Sequence, residues 1–436
     1  MNTKQLKQKI LSLAIRGQLV PQDPSDEPAS ELLKRIKAER ESTVEKGRKK
    51  KATTDTSHYQ QQPPFELPEG WVWCKLGEIF YLKAGENITS KDISEIKKED
   101  FIYPCYGGNG IRGYTKQYNK EGIFSLIGRQ GALCGNINIG KGKFFATEHA
   151  VVVNAFSETN VNWCFYFLKQ LNLNQYATST AQPGLSVNNI NQIYIPLPPL
   201  KEQDRIANEI DRLFTLIEQL EEDKAALEQL VSQLKSKILS LAICGQLVPQ
   251  DANDEPAEVL LKQINPEYKS RGNLHYKNLP KGWEVIPIKM VCKLNDGEKK
   301  KNVELPYLDV KYFRGKVANT TKKDGKFIPK NTTLILVDGE NSGEIFYASR
   351  EGYQGSTMKI LKIEPIVDRM YILHFIKSYQ KELKENKVGS AIPHLNKKLF
   401  GELQLPLPPL AEQQRIVEQV EKLFKQLDEI QNALAI

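Results

Sequence analysis

The chain has 436 residues and carries 61 Lys and Arg against 53 Asp and Glu, a formal net charge of +8. That length exceeds one ordinary hydrophobic core, so two domains plus connecting elements are expected, and the mild positive balance favours an acidic partner such as nucleic acid without requiring one. The six cysteines (Cys74, Cys105, Cys134, Cys164, Cys244, Cys292) form no CxxC pair and have no histidine cluster nearby, which argues against a zinc site or a disulfide framework and suits reduced thiols in the cytoplasm.

The N-terminus alternates Lys, Gln and apolar residues without a signal h-region, and no apolar run approaches the roughly 18 residues of a membrane span. A soluble intracellular chain with no membrane partner is expected. Residues 1–22 read as the first part of a helical region. The string LKQKILSLAIRGQLVPQ (Leu6–Gln22) returns as LKSKILSLAICGQLVPQ (Leu234–Gln250), an offset of 234 − 6 = 228, and both copies continue into DEPA at Asp26 and Asp254. Such a repeat decides the architecture before any other motif. Residues 23–64 read as a polar linker, in which the run Arg48–Lys51 is either a solvated tether or a phosphate contact.

The first interior, 65–196, opens on Leu67-Pro68-Glu69-Gly70-Trp71 and reads as a mixed α/β domain. Strand-like runs cover Ile123–Ile127 and Ala150–Val153, and an apolar helical segment covers Asn162–Leu171. Two glycine-rich stretches stand out, Tyr106 to Tyr114 (YGGNGIRGY) and Gly128-Arg129-Gln130-Gly131. Glycines let a backbone approach a groove, while Asn109, Arg112, Arg129 and Gln130 suit reading of guanine or adenine edges. The same stretches also suit plain turns between strands. Lys141 and Lys143 fit phosphate contacts or solvated charge. Ser179, Thr180 and Gln182 fit either DNA contact or local capping.

The central region, 197–264, opens within IPLPPLKEQDRI (Ile195–Ile206), the string on which the first interior closes. From Ile210 the apolar positions Leu213, Ile217, Leu220, Leu227, Val231, Leu234, Ile238 and Leu241 keep a heptad seam that only Lys224 breaks. The spacing predicts a coiled-coil helix from Glu202 to Ile243, roughly 60 Å long, entered after Pro198-Pro199 and left at Gly245 and Pro249. Its partner strand comes in two pieces, the N-terminal segment and a C-terminal helix over 407–436 that carries Ile416, Val420, Leu423, Leu427, Ile430 and Leu434. By the repeat offsets the last residue matches Ala226 and the first matches Gln229, so a cyclic pseudo-two-fold is expected, with both terminal helices antiparallel to the central one. An ordinary dimerisation stalk is the alternative.

After a second linker, 265–278, the second interior (279–406) opens on Leu279-Pro280-Lys281-Gly282-Trp283 and closes on LPLPPLAEQQRI (Leu405–Ile416), at an offset of 405 − 195 = 210. The skeleton corresponds: Met370–Gln380 with the first helix, Thr333–Val337 and Lys359–Ile363 with the first strands, and Pro393 and Leu395 with Pro183 and Leu185. Its candidate DNA contacts are Lys311, Tyr312, Arg314 and Lys316, the loop Lys322-Lys323-Asp324-Gly325-Lys326, and Asn341 with Ser342 at the place of GRQG. His394 and Asn396 are candidates too, with capping or packing as the alternative. The fold class is therefore α/β (α+β): two mixed domains separated by a long antiparallel two-helix coiled coil.

No N/D-P-P-Y/F loop occurs beyond a likeness at Asn265-Pro266-Glu267-Tyr268, no Walker motif is present, and no carboxylate-plus-lysine nuclease cluster stands out. A free-standing enzyme is not expected. The doubled PLPPLxEQxRI, the doubled ILSLAIxGQLVPQ and the string LPxGWxWxxLGEI from Leu67 to Ile79 resemble the specificity subunits of type I restriction-modification systems over essentially the whole chain. The second copy departs after Trp283, reading EVIPIKMV. The resemblance implies two target-recognition domains on double-stranded DNA, a helical spacer, and a platform for two methylation subunits that carry S-adenosylmethionine. Restriction subunits using ATP and Mg would join when present, and this chain would bind no cofactor and no metal. Glu202, Gln203, Arg205, Glu412, Gln413 and Arg415 are candidates for the methylation-subunit interface, with helix capping as the alternative. A coiled-coil scaffold that binds protein or glycan, and the same subunit in another restriction or defence class, remain as rival functions.

Overall fold

A computed structural model describes residues 2–44, 65–131, 133–156, 159–177, 184–270, 276, 278–316, 320–388 and 393–435. The run Arg48–Lys51 and the residues Ser179, Thr180, Gln182 and Pro183 lie outside them. The chain forms two compact units, Met1–Asp223 and Lys224–Ile436. The division falls inside the central helix, not at either end of it.

Unit 1 contains α1 (Thr3–Ile15), α2 (Ala29–Val44), β1 (Val72–Lys75), α3 (Leu76–Ile79), β2 (Phe80–Ala84), β3 (Tyr103–Gly107), β4 (Gly110–Thr115), β5 (Lys120–Gly128), β6 (Ile137–Ala146), β7 (Ala150–Ala155), α4 (Val161–Gln170), α5 (Val187–Asn191), β8 (Tyr194–Leu197) and the first part of α6 (Leu200–Ile243). Its main sheet runs β2-β7-β5-β6-β3-β4, with β1 and β8 paired separately. Strand β7 reads Ala-Val-Val-Val because it lies between β2 and β5 and is buried on both faces. Side-chain alternation divides the core. Ile127, Val151 and Val153 join Trp163 and Phe167 of α4, whereas Leu126, Phe144, Ala146 and Val152 form a second cluster. Helix α1 runs antiparallel to α6, since Lys7 pairs with Glu218 and Glu221 while Leu11, Ala14 and Ile15 line one small apolar gap with Ile206 and Ile210.

Unit 2 takes the remainder of α6, then α7 (Ala257–Ile264), β9 (Glu284–Pro287), β10 (Cys292–Asn295), β11 (Glu298–Lys300), β12 (Leu305–Leu308), α8 (Val310–Phe313), β13 (Thr321–Lys322), β14 (Gly325–Ile328), β15 (Thr332–Leu336), β16 (Ile345–Ala348), β17 (Gly352–Gln354), β18 (Met358–Ile363), α9 (Arg369–Ser378), α10 (Gln380–Glu385), α11 (Lys397–Glu402), β19 (Gln404–Leu407) and α12 (Leu410–Ala435). The sheet β10-β18-β15-β16 has the order of β2-β7-β5-β6 in unit 1, and β9 pairs with β19 as β1 does with β8. The units part company beyond this frame. In unit 1 the hairpin β3-β4 extends the main sheet, whereas unit 2 builds a separate five-stranded sheet, β11-β14-β17-β12-β13. Helix α12 is antiparallel to α6: Lys235 pairs with Asp428, and Gln250, beyond the C-terminal end of α6, reaches Glu412 near the start of α12. A 44-residue α6 therefore carries a partner helix within each unit.

Candidate nucleic-acid interface and the repeated junction

In unit 1 the two glycine-rich stretches meet. Asn109 occupies the turn between β3 and β4, and Gly128–Gly131 begins the connection from β5 to β6. A Cβ on Gly128 would lie 1.9 Å from the Gly108 carbonyl oxygen, so no other residue permits this backbone approach. Asn136 Nδ2 donates to Asn109 Oδ1 at 3.0 Å, and Arg129 N–H donates to the His149 carbonyl at 3.0 Å. Arg129, Gln130, Asn109, Asn136, Asn138, Glu148 and His149 thus share one locale. The last four were not singled out by sequence. The signal that would have found two of them is the polar Thr147-Glu148-His149 between the apolar strands β6 and β7. Arg112 is exposed on β4, with Nη2 donating to Ser90 Oγ at 3.4 Å. Lys141 and Lys143 sit apart from the loop, four and six residues along β6 from Ile137, roughly 13 and 20 Å at strand rise. Lys143 lies over the Tyr118 ring and faces Glu121.

In unit 2 the backbone bonds correct the expected register. Leu336 N–H donates to Glu344 O and Gly343 N–H to Leu336 O, as Gly128 does to Asn136 and Gly135 to Gly128; Val337 N–H donates to Thr357 O as Arg129 does to His149. The offset through these bonds is 336 − 128 = 208, not 210. GRQG therefore corresponds to Leu336-Val337-Asp338-Gly339, and Asn341 and Ser342 lie two and three residues beyond Gly339 in the same loop. Ser342 is buried with its hydroxyl donating to the Gly339 carbonyl at 2.6 Å, so it is a structural group rather than an exposed contact. Asn396 caps α11 by accepting from Leu399 N–H at 3.0 Å, the alternative already open for it. His394 Nδ1 lies 2.7 Å from Asp338 Oδ1. Tyr312 packs on Phe313 and under Arg350 beside the apolar cluster of Leu308, Ile328 and Met358, which leaves it a minor role at the surface. Lys311, Lys316, Lys322 and Lys323 are exposed, Lys322 with its ammonium 3.4 Å from the Tyr307 ring centroid.

Arg314 pairs with Glu344 and, with Asn341, Lys377, Lys381 and Lys384, lines a groove of about 560 Å³ against Ser236 and Leu239 of α6. Four cations against one carboxylate make this groove suited to a phosphate backbone. Lys381 and Lys384 had not been picked out, because in sequence they are indistinguishable from the solvated face of a helix.

The doubled strings turn out to form one buried polar junction in each unit. Trp71 Nε1–H donates to Glu202 Oε2 at 2.9 Å, Gln22 Nε2 to Glu202 Oε1 at 3.1 Å, and Arg205 Nη2 to Asp26 Oδ2 at 2.6 Å. Trp283, Gln250, Glu412, Arg415 and Asp254 repeat these bonds at 2.9, 3.0 and 2.6 Å. Gln203 joins the Pro198 carbonyl to the Asn160 N–H, and Gln413 joins Pro408 to Asp368. Gly17 and Gly245 take φ of +65° and +68°, and a Cβ there would lie 2.4 and 2.5 Å from Pro68 and Pro280. Glu202, Gln203, Glu412 and Gln413 are at most 1% exposed, which corrects their reading as a partner interface: their polar atoms hold the chain to itself. Arg205 and Arg415 keep about a third of their side chains exposed while bonded to Asp26 and Asp254. Burial raises the Glu202 carboxyl above its ordinary value, opposed by the Gln22 and Trp71 donors. Among the described residues no group of three or more His, Cys, Asp or Glu could hold a metal ion, and no helix is long and apolar enough to cross a membrane.

Two units with a common frame, a common junction and unlike outer surfaces define a protein with two distinct recognition domains on paired helices. The family described as the type I restriction modification DNA specificity domain matches residues 68–229 and 280–435, and the chain belongs to that family. Among its relatives, the Escherichia coli type I restriction enzyme EcoprrI specificity subunit is 48% identical over 34% of this chain and 37% of that subunit, so the match spans little more than a third of its length. The E. coli EcoAI specificity subunit is 26% identical over 97% of this chain and 89% of that one. The HsdS subunit of Thermoanaerobacter tengcongensis has the same fold, with a TM-score of 0.51 at 19% identity over 85% of this chain and 93% of that one. A chain solved in work on complex assembly and conformational transition of the type I restriction-modification system gives 0.56 at 19% identity over 85% and 94%.

Proposed function

We propose that this chain is the DNA sequence-specificity subunit of a type I restriction-modification complex. Each interior reads one half of a bipartite, asymmetric site in double-stranded DNA, and the paired helices set the unread gap between the halves. The observation that carries this is one frame with two surfaces: the bonds around Gly128 and Leu336 coincide, while the residues beyond them differ. Different readers on equivalent frames suit a target whose halves differ. The repeated strings are read as a cyclic pseudo-two-fold, which presents two equivalent faces to two copies of one methylation subunit.

The chain directs chemistry and performs none. S-adenosylmethionine belongs to the methylation subunits, and ATP and Mg to restriction subunits where these join. In unit 1 the contact surface is the loop region around Asn109, Arg129 and Gln130, with Arg112, Lys141 and Lys143 on flanking strands. In unit 2 it is Asp338 to Asn341 with His394, the lysines Lys311, Lys322 and Lys323, and the basic groove at Arg314. The cytoplasm, where the host DNA lies, is its place of action. The test is mapping of methylated adenine across the host genome with the gene intact and deleted. Loss of one bipartite asymmetric motif on deletion is the expected result; an unchanged map in cells expressing the methylation subunit refutes the reading.

A further inference from the structure

Unit 1 holds an unusual concentration of unmet polar atoms beside its glycine turn. Arg129 Nε, Asn138 Nδ2, Glu148 Oε2 and His149 Nδ1 are covered yet have no hydrogen-bond partner among the described residues. Buried polar groups are ordinarily paired, and leaving one unpaired destabilises a fold, more so for a charged group. These residues converge: the Arg129 amide bonds to the His149 carbonyl, Glu148 Oε1 lies 3.1 Å from His149 Nε2, and Asn138 Oδ1 abuts Gly110. The frame itself does not need them. At the offset of 208 the equivalents in unit 2 are Val337, Phe346, Ser356 and Thr357, and Phe346 packs half-buried against an apolar cluster there. One backbone therefore folds with apolar or small neutral groups where unit 1 keeps an unpaired guanidinium donor and an unpaired carboxylate acceptor.

We infer that Arg129 and Glu148, with His149 positioning the carboxylate, are the specificity-determining pair of unit 1 and read a single G·C base pair in the major groove. The inference rests on the DNA-recognition reading above. The guanidinium fork matches the adjacent guanine O6 and N7 acceptors, and the carboxylate accepts from the cytosine N4 amino group. An A·T pair places an amino donor beside the adenine N7, against which the guanidinium fork has no match. Arg129 is partly exposed and the Glu148 and His149 side chains are 36% and 40% exposed, so rotation of the side chains brings the covered atoms to a base edge. Arrival of the base pair then supplies the partners the free protein lacks.

The experiment replaces the gene in its host with Glu148→Gln, which keeps the side-chain shape, and separately with Arg129→Ala, and maps methylated adenine for each. The expected result is that one G·C position in one half-site becomes degenerate, its preference falling roughly tenfold to a hundredfold, while the other half-site and the gap stay as they were. An unchanged motif at native methylation level in both variants overturns the assignment and leaves the specificity reading intact. Loss of methylation at every site from Glu148→Gln also overturns it, since the carboxylate would then serve the fold. A map unchanged on deleting the whole gene sinks the specificity reading itself.

Discussion

At the scale of single residues, the junction explains why short strings far apart in the chain come in matched pairs. Trp71, Gln22, Asp26, Glu202 and Arg205 lie in three separate sequence segments, yet their side chains bond in one place. Glu202→Ala orphans the buried Trp71 indole N–H, and an unfolding free energy lower by about 1–3 kcal/mol is expected from urea titration. A double-mutant cycle with Trp71→Phe checks the cause, because the second substitution should add less than its own single cost. His374 makes a pH-dependent contribution. Burial first, then Lys377, depresses its pKa from 6.5 to about 4, so the folded chain holds it neutral on α9 against the edge of Phe424. Below 6.5 the unfolded chain binds a proton that the folded chain refuses. Its stabilisation is complete above pH 6.5 and is lost as pH falls to about 4, about 3 kcal/mol in all. His374→Phe should flatten the slope of unfolding free energy across that window; an unchanged slope would mean that the ring is solvated.

At the scale of elements, helix ends fix how the parts meet. Gly17 and Gly245 close the helices that precede them in the left-handed region, where proline rings press on the missing side chain. Gly17→Ala or Gly245→Ala should lower the unfolding free energy by at least about 1–2 kcal/mol from backbone strain alone, with the proline contact adding to it. Thermal denaturation measures this, and a variant as stable as the native chain would refute the strained turn. The paired cations of the coil follow the same logic. Lys7 lies over Phe214 beside Glu218 and Glu221, and Lys235 lies over Phe424 beside Asp428, so each partner helix meets α6 through a lysine that covers a ring and faces carboxylate on the opposite helix.

At the scale of the whole molecule, the proposed function makes the length of α6 a ruler. Inserting one heptad into the exposed stretch near Glu221–Asp223, with a matching heptad in the C-terminal helix, adds about 10 Å of helix. Under that reading the unread gap lengthens by about three base pairs at the rise of a DNA duplex, while both half-sites keep their bases. Methylome mapping reads the gap directly. A half-site change without a gap change would contradict the spacer role.

The amino-acid sequence by itself determined the repeats, the extent of the central helix and the family resemblance, because these rest on exact strings and on heptad spacing that survive without coordinates; it misread 23–64 as a polar linker, where α2 buries Leu32 and Ile36 in the core of unit 1. The frame of each interior was also legible in outline, as runs of β-branched residues and one apolar helix per half. What only the tertiary structure decided was the register between the halves and the role of the polar residues. An offset of 208 rather than 210 between equivalent loops is invisible in diverged sequence, since a two-residue difference falls in connecting segments that carry no pattern, and backbone hydrogen bonds alone reveal it. The same limit applies to Glu202 and Gln203. A polar pair after a proline-rich entry reads as an exposed surface, and only the arrival of Trp71, Gln22 and Asn160 from other segments buries it. Glu148 and His149 stayed unseen for the converse reason: a polar atom declares itself as unpaired only when every neighbour that might have bonded to it is in place.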